Sequence, residues 1–145
     1  MAPIYEHYVH PGMQAAYPQL AGMRSKLRID PNGPERGMFE SGGIRVEVPV
    51  ASAARFLGIH ELQHMIDRLE RHARGGSWRE FLRPGISLKE ADSLYESLAS
   101  EVAARNAVKR LHMTDRERQV KAPRRTEDAK FPRDRQIIRF YPEDY

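Results

Sequence analysis

The chain contains no cysteine. This absence excludes disulfide bonds, thiol chemistry and cysteine-based zinc sites, and it leaves histidine and carboxylate side chains as the candidate metal ligands. The sequence also lacks any apolar run of the roughly eighteen residues that a membrane-spanning helix requires. The first twenty residues have neither a basic start nor an apolar centre, so we expect no signal peptide. The composition fits a cytoplasmic or virion-like setting without a membrane.

Charge is distributed unevenly along the chain. The formal net charge is +4, and residues 115–139 hold nine basic residues against five acidic ones. Such a run is typical of a solvated surface, and a nucleic-acid-binding segment is the functional alternative. Phe131 is the only aromatic residue in this segment, so stacking on single-stranded nucleic acid has little support. The basic residues are Arg116, Arg118, Lys121, Arg124, Arg125, Lys130, Arg133, Arg135 and Arg139.

The order of periodic segments predicts the fold class. A length of 145 residues predicts one domain, 1–145. Alternation of apolar and polar residues predicts short strands over 26–30 and 44–48, with a last strand over 136–141. Helical periodicity predicts two long helices, 51–73 and 88–112, the second opened by a Ser87–Glu90 capping box. We therefore expect an α+β fold, with a small antiparallel or mixed sheet packed on the two helices.

The two ends of the chain have less regular patterns. Residues 1–25 contain several prolines among aromatic residues, which predicts an irregular segment with one short helix near Gly12–Ala16. Residues 114–145 are basic and contain Pro123 and Pro132, which predicts an extended segment after a short capped helix at Thr114–Glu117.

The most informative stretch is the H-E-x-x-H pattern of His60, Glu61 and His64. Residues four apart on a helix lie one turn above each other, so the two imidazoles can bind one zinc ion. Glu61 lies about 100° round the helix from His60, where it can act on water without coordinating the metal. A catalytic zinc usually has three protein ligands, so a third is expected elsewhere in the chain.

Glu101 is the candidate third ligand. It follows Leu98 on the predicted second helix, beside the apolar stripe, where an unpartnered carboxylate would be costly. A metal is one partner that would stabilise this carboxylate. The alternative is an ion pair with Arg105, four residues on, in which case His60 and His64 are ordinary interfacial histidines.

Beyond this motif, the chain resembles a known domain over nearly its whole length. The segments HELQHMI (60–66) and ARGGS (73–77) are similar to the core of the zincin-like domain of phage and prophage polyvalent proteins. This domain is one of the large polyvalent protein-associated domains. YESLASEVAARN (95–106), TED (126–128), PRDRQIIRF (132–140) and AYPQLA (16–21) resemble its other segments. The chain departs from the family pattern at Ser100, usually glycine, and at Ala103, usually a second glutamate.

The resemblance implies a zincin-like domain of minimal gluzincin type. It implies His60, His64 and Glu101 as zinc ligands and Glu61 as the general base of a metallopeptidase. The expected partners are a protein or peptide substrate and other phage structural proteins. The expected location is the cytoplasm of a bacterial host or the phage virion.

Two questions of role and activity stay open in the sequence. Tyr95, Arg105 and His112 are the candidates to stabilise the oxyanion, and Asn106 could orient the histidine ligands. The protein could also be a catalytically silent zincin-fold component of a phage particle, structural or ejected, or a basic nucleic-acid-binding module. The intact H-E-x-x-H motif favours the peptidase, because a purely structural descendant does not need Glu61.

Overall fold

The structure is a computed structural model that describes residues 2–8, 11–40 and 42–142. Two compact units make up the chain, Met1–Met65 and Ile66–Tyr145. Secondary structure is mixed α+β, as expected, with a small four-stranded mixed sheet and six α-helices among these residues. The prediction of one 1–145 domain stays a prediction.

The sheet belongs to the first unit. Its strands are β1 (Ala2–Pro3), β2 (Arg24–Ile29), β3 (Arg36–Glu40) and β4 (Gly43–Val48), in the order β1-β2-β4-β3. The central pair β2–β4 is parallel, and β1 and β3 add antiparallel at the two edges. The strands expected over 26–30 and 44–48 are confirmed as β2 and β4. Between these two strands, the prolines and glycines of residues 31–43 predict a loop. Strand β3 forms there instead, so the prediction of a loop is wrong.

One face of the sheet is buried. Ile44, Val46 and Val48 are at most 3% exposed, because alternate residues of a strand point to the same face. In the β3–β4 register, Gly37 lies opposite Val46. Directly paired residues share a face, so Gly37 lies on this buried face of the edge strand.

The remaining elements of the first unit are helical. They are α1 (Ile4–His7), α2 (Pro11–Ala16), a 3-10 turn at Pro18–Gly22, and the start of α3 (Ala51–Leu69). The short helix expected near Gly12–Ala16 is thus α2. Ile59, Leu62 and Met65 form the buried stripe of α3.

Helix α3 ends earlier than expected. The predicted helix extends to residue 73, but α3 stops at Leu69 in the second unit. A turn follows at residues 70–71, and the φ of 53° at Arg71 is in the left-handed region. Gly75 and Gly76 predict the helix end from the sequence, because glycine is common at this cap position and a positive φ is uncommon for other residues.

Gly58, inside α3, gives the first testable prediction. A Cβ at this position would lie 2.2 and 2.3 Å from two ring carbons of the fully buried Tyr8. Alanine normally stabilises a helix by about 1 kcal/mol over glycine, but overpacking against a rigid ring costs about 1–3 kcal/mol. We expect Gly58→Ala to lower the urea midpoint of unfolding, measured by circular dichroism. A raised midpoint would show that helix propensity outweighs the contact with Tyr8.

After the end of α3, the described part of the second unit contains the helices α4 (Leu88–Glu96), α5 (Ala99–Leu111) and α6 (Asp115–Val120). Both predicted capping boxes are confirmed, at Ser87–Glu90 before α4 and at Thr114–Glu117 before α6. Hydrogen bonds from the backbone and hydroxyl of Ser87 hold the pKa of Glu90 below its ordinary value. The core of this unit includes Phe81, Ala91 and Leu98, with Ile86, Leu94, Tyr95 and Ile137 packed against them.

The second long helix, expected over 88–112, is in fact two helices, and the expectation of an unbroken helix is wrong. The chain leaves the helical conformation at Leu98, where ψ is 131°. Here the backbone pairs with Ile137 instead: Ala99 donates to the Ile137 carbonyl oxygen at 2.9 Å, and Ile137 donates to Ser97 at 2.9 Å. This long-range pairing replaces helical hydrogen bonds between α4 and α5.

The prediction of a last strand over 136–141 is also wrong, because this segment forms only the isolated bridge between Ile137 and Leu98. Residues 121–142 contain two 3-10 turns, Pro123–Arg125 and Arg133–Arg135. Arg110 of α5 holds this segment by donating to the Lys121 carbonyl oxygen at 2.8 Å and to Thr126 Oγ1 at 3.1 Å. Within the described ranges, no helix is both long and apolar enough to cross a membrane.

Candidate metal centre

The two histidines of the motif lie one turn apart on α3. Their Nε2 atoms are 3.2 Å apart and their ring centroids 4.9 Å apart, with an angle of 77° between the ring planes. Both side chains are half-buried. The i, i+4 spacing on a regular helix therefore brings the two Nε2 atoms toward one point, as the sequence predicted.

The separation of these nitrogens suits zinc. Tetrahedral coordination with Zn–N bonds of about 2.0–2.1 Å places two nitrogen ligands about 3.3 Å apart. The distance of 3.2 Å between Nε2 of His60 and Nε2 of His64 is close to that value. A direct hydrogen bond between the two rings would give a similar distance. A third ligand is therefore needed to distinguish a metal site from a hydrogen-bonded histidine pair.

Glu101 is a buried carboxylate in the first turn of α5, with 3% of its surface exposed. The break at Leu98 places the end of α4 beside the start of α5, and the Tyr95 hydroxyl donates to Glu101 Oε1 at 2.8 Å. An acidic group in the first helical turn is also favoured by the helix dipole. Local structure thus fixes the Glu101 carboxylate, with Tyr95 holding one oxygen.

The three predicted ligands come together. One ligand atom from each of His60, His64 and Glu101 lies within 4.8 Å of the others. Two imidazole nitrogens and one carboxylate oxygen form the donor set of known catalytic zinc sites that keep one position open. The residues present therefore fit a zinc ion by number and by chemical type.

Glu61 lies beside this group in a confined position. Only 8% of its surface is exposed, and its carboxylate lies against the backbone of β3 at Gly37. Burial, and then the negative charge of Glu61, raise the pKa of Tyr8 to about 12. Tyr8 is fully buried, and its hydroxyl has no hydrogen-bond partner among the described residues.

Comparison with known proteins identifies no relative of this chain. No family model, curated protein or solved structure matches this chain. The resemblance to the phage polyvalent-protein domain rests on the sequence motifs alone.

The three other candidates, Arg105, Asn106 and His112, occupy different environments. Arg105 donates from Nη2 to the Glu96 carbonyl oxygen at 2.6 Å and lies 5.6 Å from the Phe131 ring centroid. These contacts account for Arg105 without an ion pair to Glu101. Asn106 donates to the Pro123 carbonyl oxygen at 2.9 Å, which anchors the chain after α6. His112 is exposed at the C-terminal cap of α5.

Several side chains of the basic segment form hydrogen bonds or ion pairs with other residues of the protein. Arg118 donates to the Arg110 and Met113 carbonyl oxygens at 3.0 and 2.7 Å. Arg133 pairs with Glu127 at 3.1 Å, Lys130 pairs with Glu96 at 3.8 Å, and Arg139 pairs with Glu80. These contacts support a structural role for part of the segment. The nucleic-acid hypothesis stays a prediction that depends on the other residues, Arg116, Lys121, Arg124, Arg125 and Arg135.

Gly37 and Tyr8 are two neighbours of Glu61 that the sequence did not identify. Glycine inside a strand often marks a close approach of another group, so recognising β3 would have drawn attention to Gly37. Tyr8 gave no comparable signal, because its contact with Gly58 joins residues far apart in the chain.

The hydrogen bond from Tyr95 gives the second testable prediction. Removing a group that orients a metal ligand typically lowers metal affinity by about 10- to 100-fold. We expect Tyr95→Phe to weaken zinc binding by this factor, measured by competition with a chromogenic chelator. Tyr5→Phe, which removes a hydroxyl bonded to the Tyr17 carbonyl oxygen, is the matched control and should not change the affinity. Equal affinity of Tyr95→Phe and the wild type would contradict the role.

Proposed function

We propose that this protein is a zinc-dependent peptidase with a zincin-like fold of minimal gluzincin type, encoded by a phage or prophage. The observation that carries the proposal is the convergence of His60, His64 and Glu101, with Glu61 next to the first histidine. Two imidazoles and one buried carboxylate, with ligand atoms within 4.8 Å of one another, are the donor set of known catalytic zinc sites. The H-E-x-x-H arrangement adds a fourth group that has no role in holding the metal.

The roles of the residues follow from their chemistry. His60, His64 and Glu101 would hold the zinc, and Tyr95 would orient Glu101 through its hydroxyl. Zinc, when bound, supplies a Lewis acid that polarises a carbonyl group and acidifies water.

Glu61 would act as the general base and then as the general acid. Its carboxylate takes a proton from the attacking water as the new carbon–oxygen bond forms. The same carboxyl group then delivers that proton to the amine nitrogen as the carbon–nitrogen bond breaks. Near-complete burial of Glu61 keeps bulk water from competing for the proton.

The test is zinc content followed by peptide hydrolysis. Purified protein is equilibrated with zinc, desalted and analysed by mass spectrometry, and we expect about one zinc per chain. Chelation should remove the metal and lower the melting temperature, because a ligand at about 100 times its Kd stabilises the folded state by about 2.7 kcal/mol.

A peptide library is then incubated with the zinc-loaded protein, and cleavage is followed by mass spectrometry. Cleavage that requires zinc would support the peptidase. Absence of zinc binding would overturn the proposal at its first step. Zinc binding without cleavage of peptides or denatured proteins would instead leave a zinc-binding scaffold, such as a component of a phage particle.

A further inference from the structure

Gly37 lies directly beside the side chain of Glu61. A Cβ built on Gly37 would lie 2.1 Å from Oε1, 2.6 Å from Cδ and 2.7 Å from Cγ of Glu61. All three nearest atoms belong to this one side chain. The Glu61 carboxylate therefore occupies the space that a side chain at position 37 would fill.

This arrangement follows from the register of the sheet. Gly37 pairs with Val46 and so lies on the buried face of the edge strand β3. Its neighbours along the strand, Arg36 and Met38, point to the other face because side chains alternate. Because glycine has no side chain, the β3 backbone at position 37 lies directly against the Glu61 side chain.

We infer that Gly37 is the positioning residue for the general base, because its missing side chain lets the β3 backbone fix the Glu61 carboxylate. This inference rests on the proposed function, which gives Glu61 its catalytic role. A side chain at position 37 would displace the carboxylate rather than the strand, since the contacted atoms are the far end of a flexible side chain. The metal ligands would keep their places.

The size of the displacement can be bounded. An ordinary van der Waals contact begins at 3.4 Å, against 2.1 Å between the added Cβ and Oε1, so the carboxylate has to move by more than 1 Å. A misplacement of about 1 Å at a reacting group can cost about 10²-fold in rate. We expect Gly37→Ala to lower kcat by about this factor with little change in KM.

The experiment compares Gly37→Ala with a matched control, Gly22→Ala. A Cβ at Gly22 meets nothing within 4 Å, so the same chemical change is made without a contact. For each variant, zinc affinity, kcat and KM are measured, and a crystal structure gives the position of Glu61. We expect unchanged zinc affinity in both, and a displaced Glu61 with reduced kcat in Gly37→Ala only. An undisplaced Glu61 or an unchanged kcat in Gly37→Ala would overturn the inference.

A second variant pair covers the case in which Gly37→Ala does not fold. Truncating the contacted side chain should make room for the new methyl group, so Gly37→Ala/Glu61→Ala should fold with the stability of Glu61→Ala. Failure of this rescue would also overturn the inference. A wild-type protein that binds zinc but cleaves nothing would overturn the proposed function instead, and this result is recognisable because Gly22→Ala is then inactive as well.

Discussion

Replacing His64 with alanine should abolish zinc binding by the purified protein. The remaining pair, His60 and Glu101, offers two ligand atoms where a catalytic zinc site has three. We expect zinc content after desalting to fall from about one per chain to background, and the rise in melting temperature on adding zinc to disappear.

His72→Ala is the matched control for this loss. His72 is another histidine just beyond α3, 69% exposed and 4.0 Å from Asp67, and it is outside the group of three ligands. Its replacement should leave the zinc content unchanged. Wild-type zinc content in His64→Ala would place the metal elsewhere and remove the basis of the proposed site.

The proposed metal ligands could be selected from the sequence because part of their geometry is local. His60 and His64 converge through the helical repeat alone, and the pattern needs no knowledge of the rest of the fold. Glu101 was predicted from its place beside an apolar stripe, and its burial at 3% exposure agrees with that argument. The hydrogen bond from Tyr95 could not be predicted, because it depends on the break between α4 and α5.

The break between α4 and α5 could not be predicted from the local sequence. Every residue from Ser87 to Leu111 is compatible with one helix, so periodicity predicts no interruption. The chain leaves the helix because Ile137, forty residues away, pairs with the backbone at Ser97 and Ala99. Strand β3 was missed for a related reason. Glycine and proline before it are typical of a loop, whereas its strand conformation comes from pairing with β4.

Replacing Glu61 with glutamine should give the largest loss of activity that leaves zinc in place. Glutamine has nearly the same size as glutamate but cannot accept the proton of the attacking water. General acid–base catalysis contributes about 10²- to 10⁴-fold, so we expect kcat/KM for peptide hydrolysis to fall by that factor. The zinc content should stay at the wild-type level, because Glu61 is outside the group of three ligands.

Glu35→Gln is the control for this substitution. It makes the same chemical change at an exposed position just before β3 and should leave hydrolysis unchanged. The two assays together separate the possible explanations of a negative result. Loss of zinc from Glu61→Gln would show that Glu61 acts as a ligand, and full activity with zinc bound would show that another residue is the base. The predicted combination, zinc retained and hydrolysis lost, assigns the base to Glu61, because the two variants differ only in which carboxylate has been neutralised.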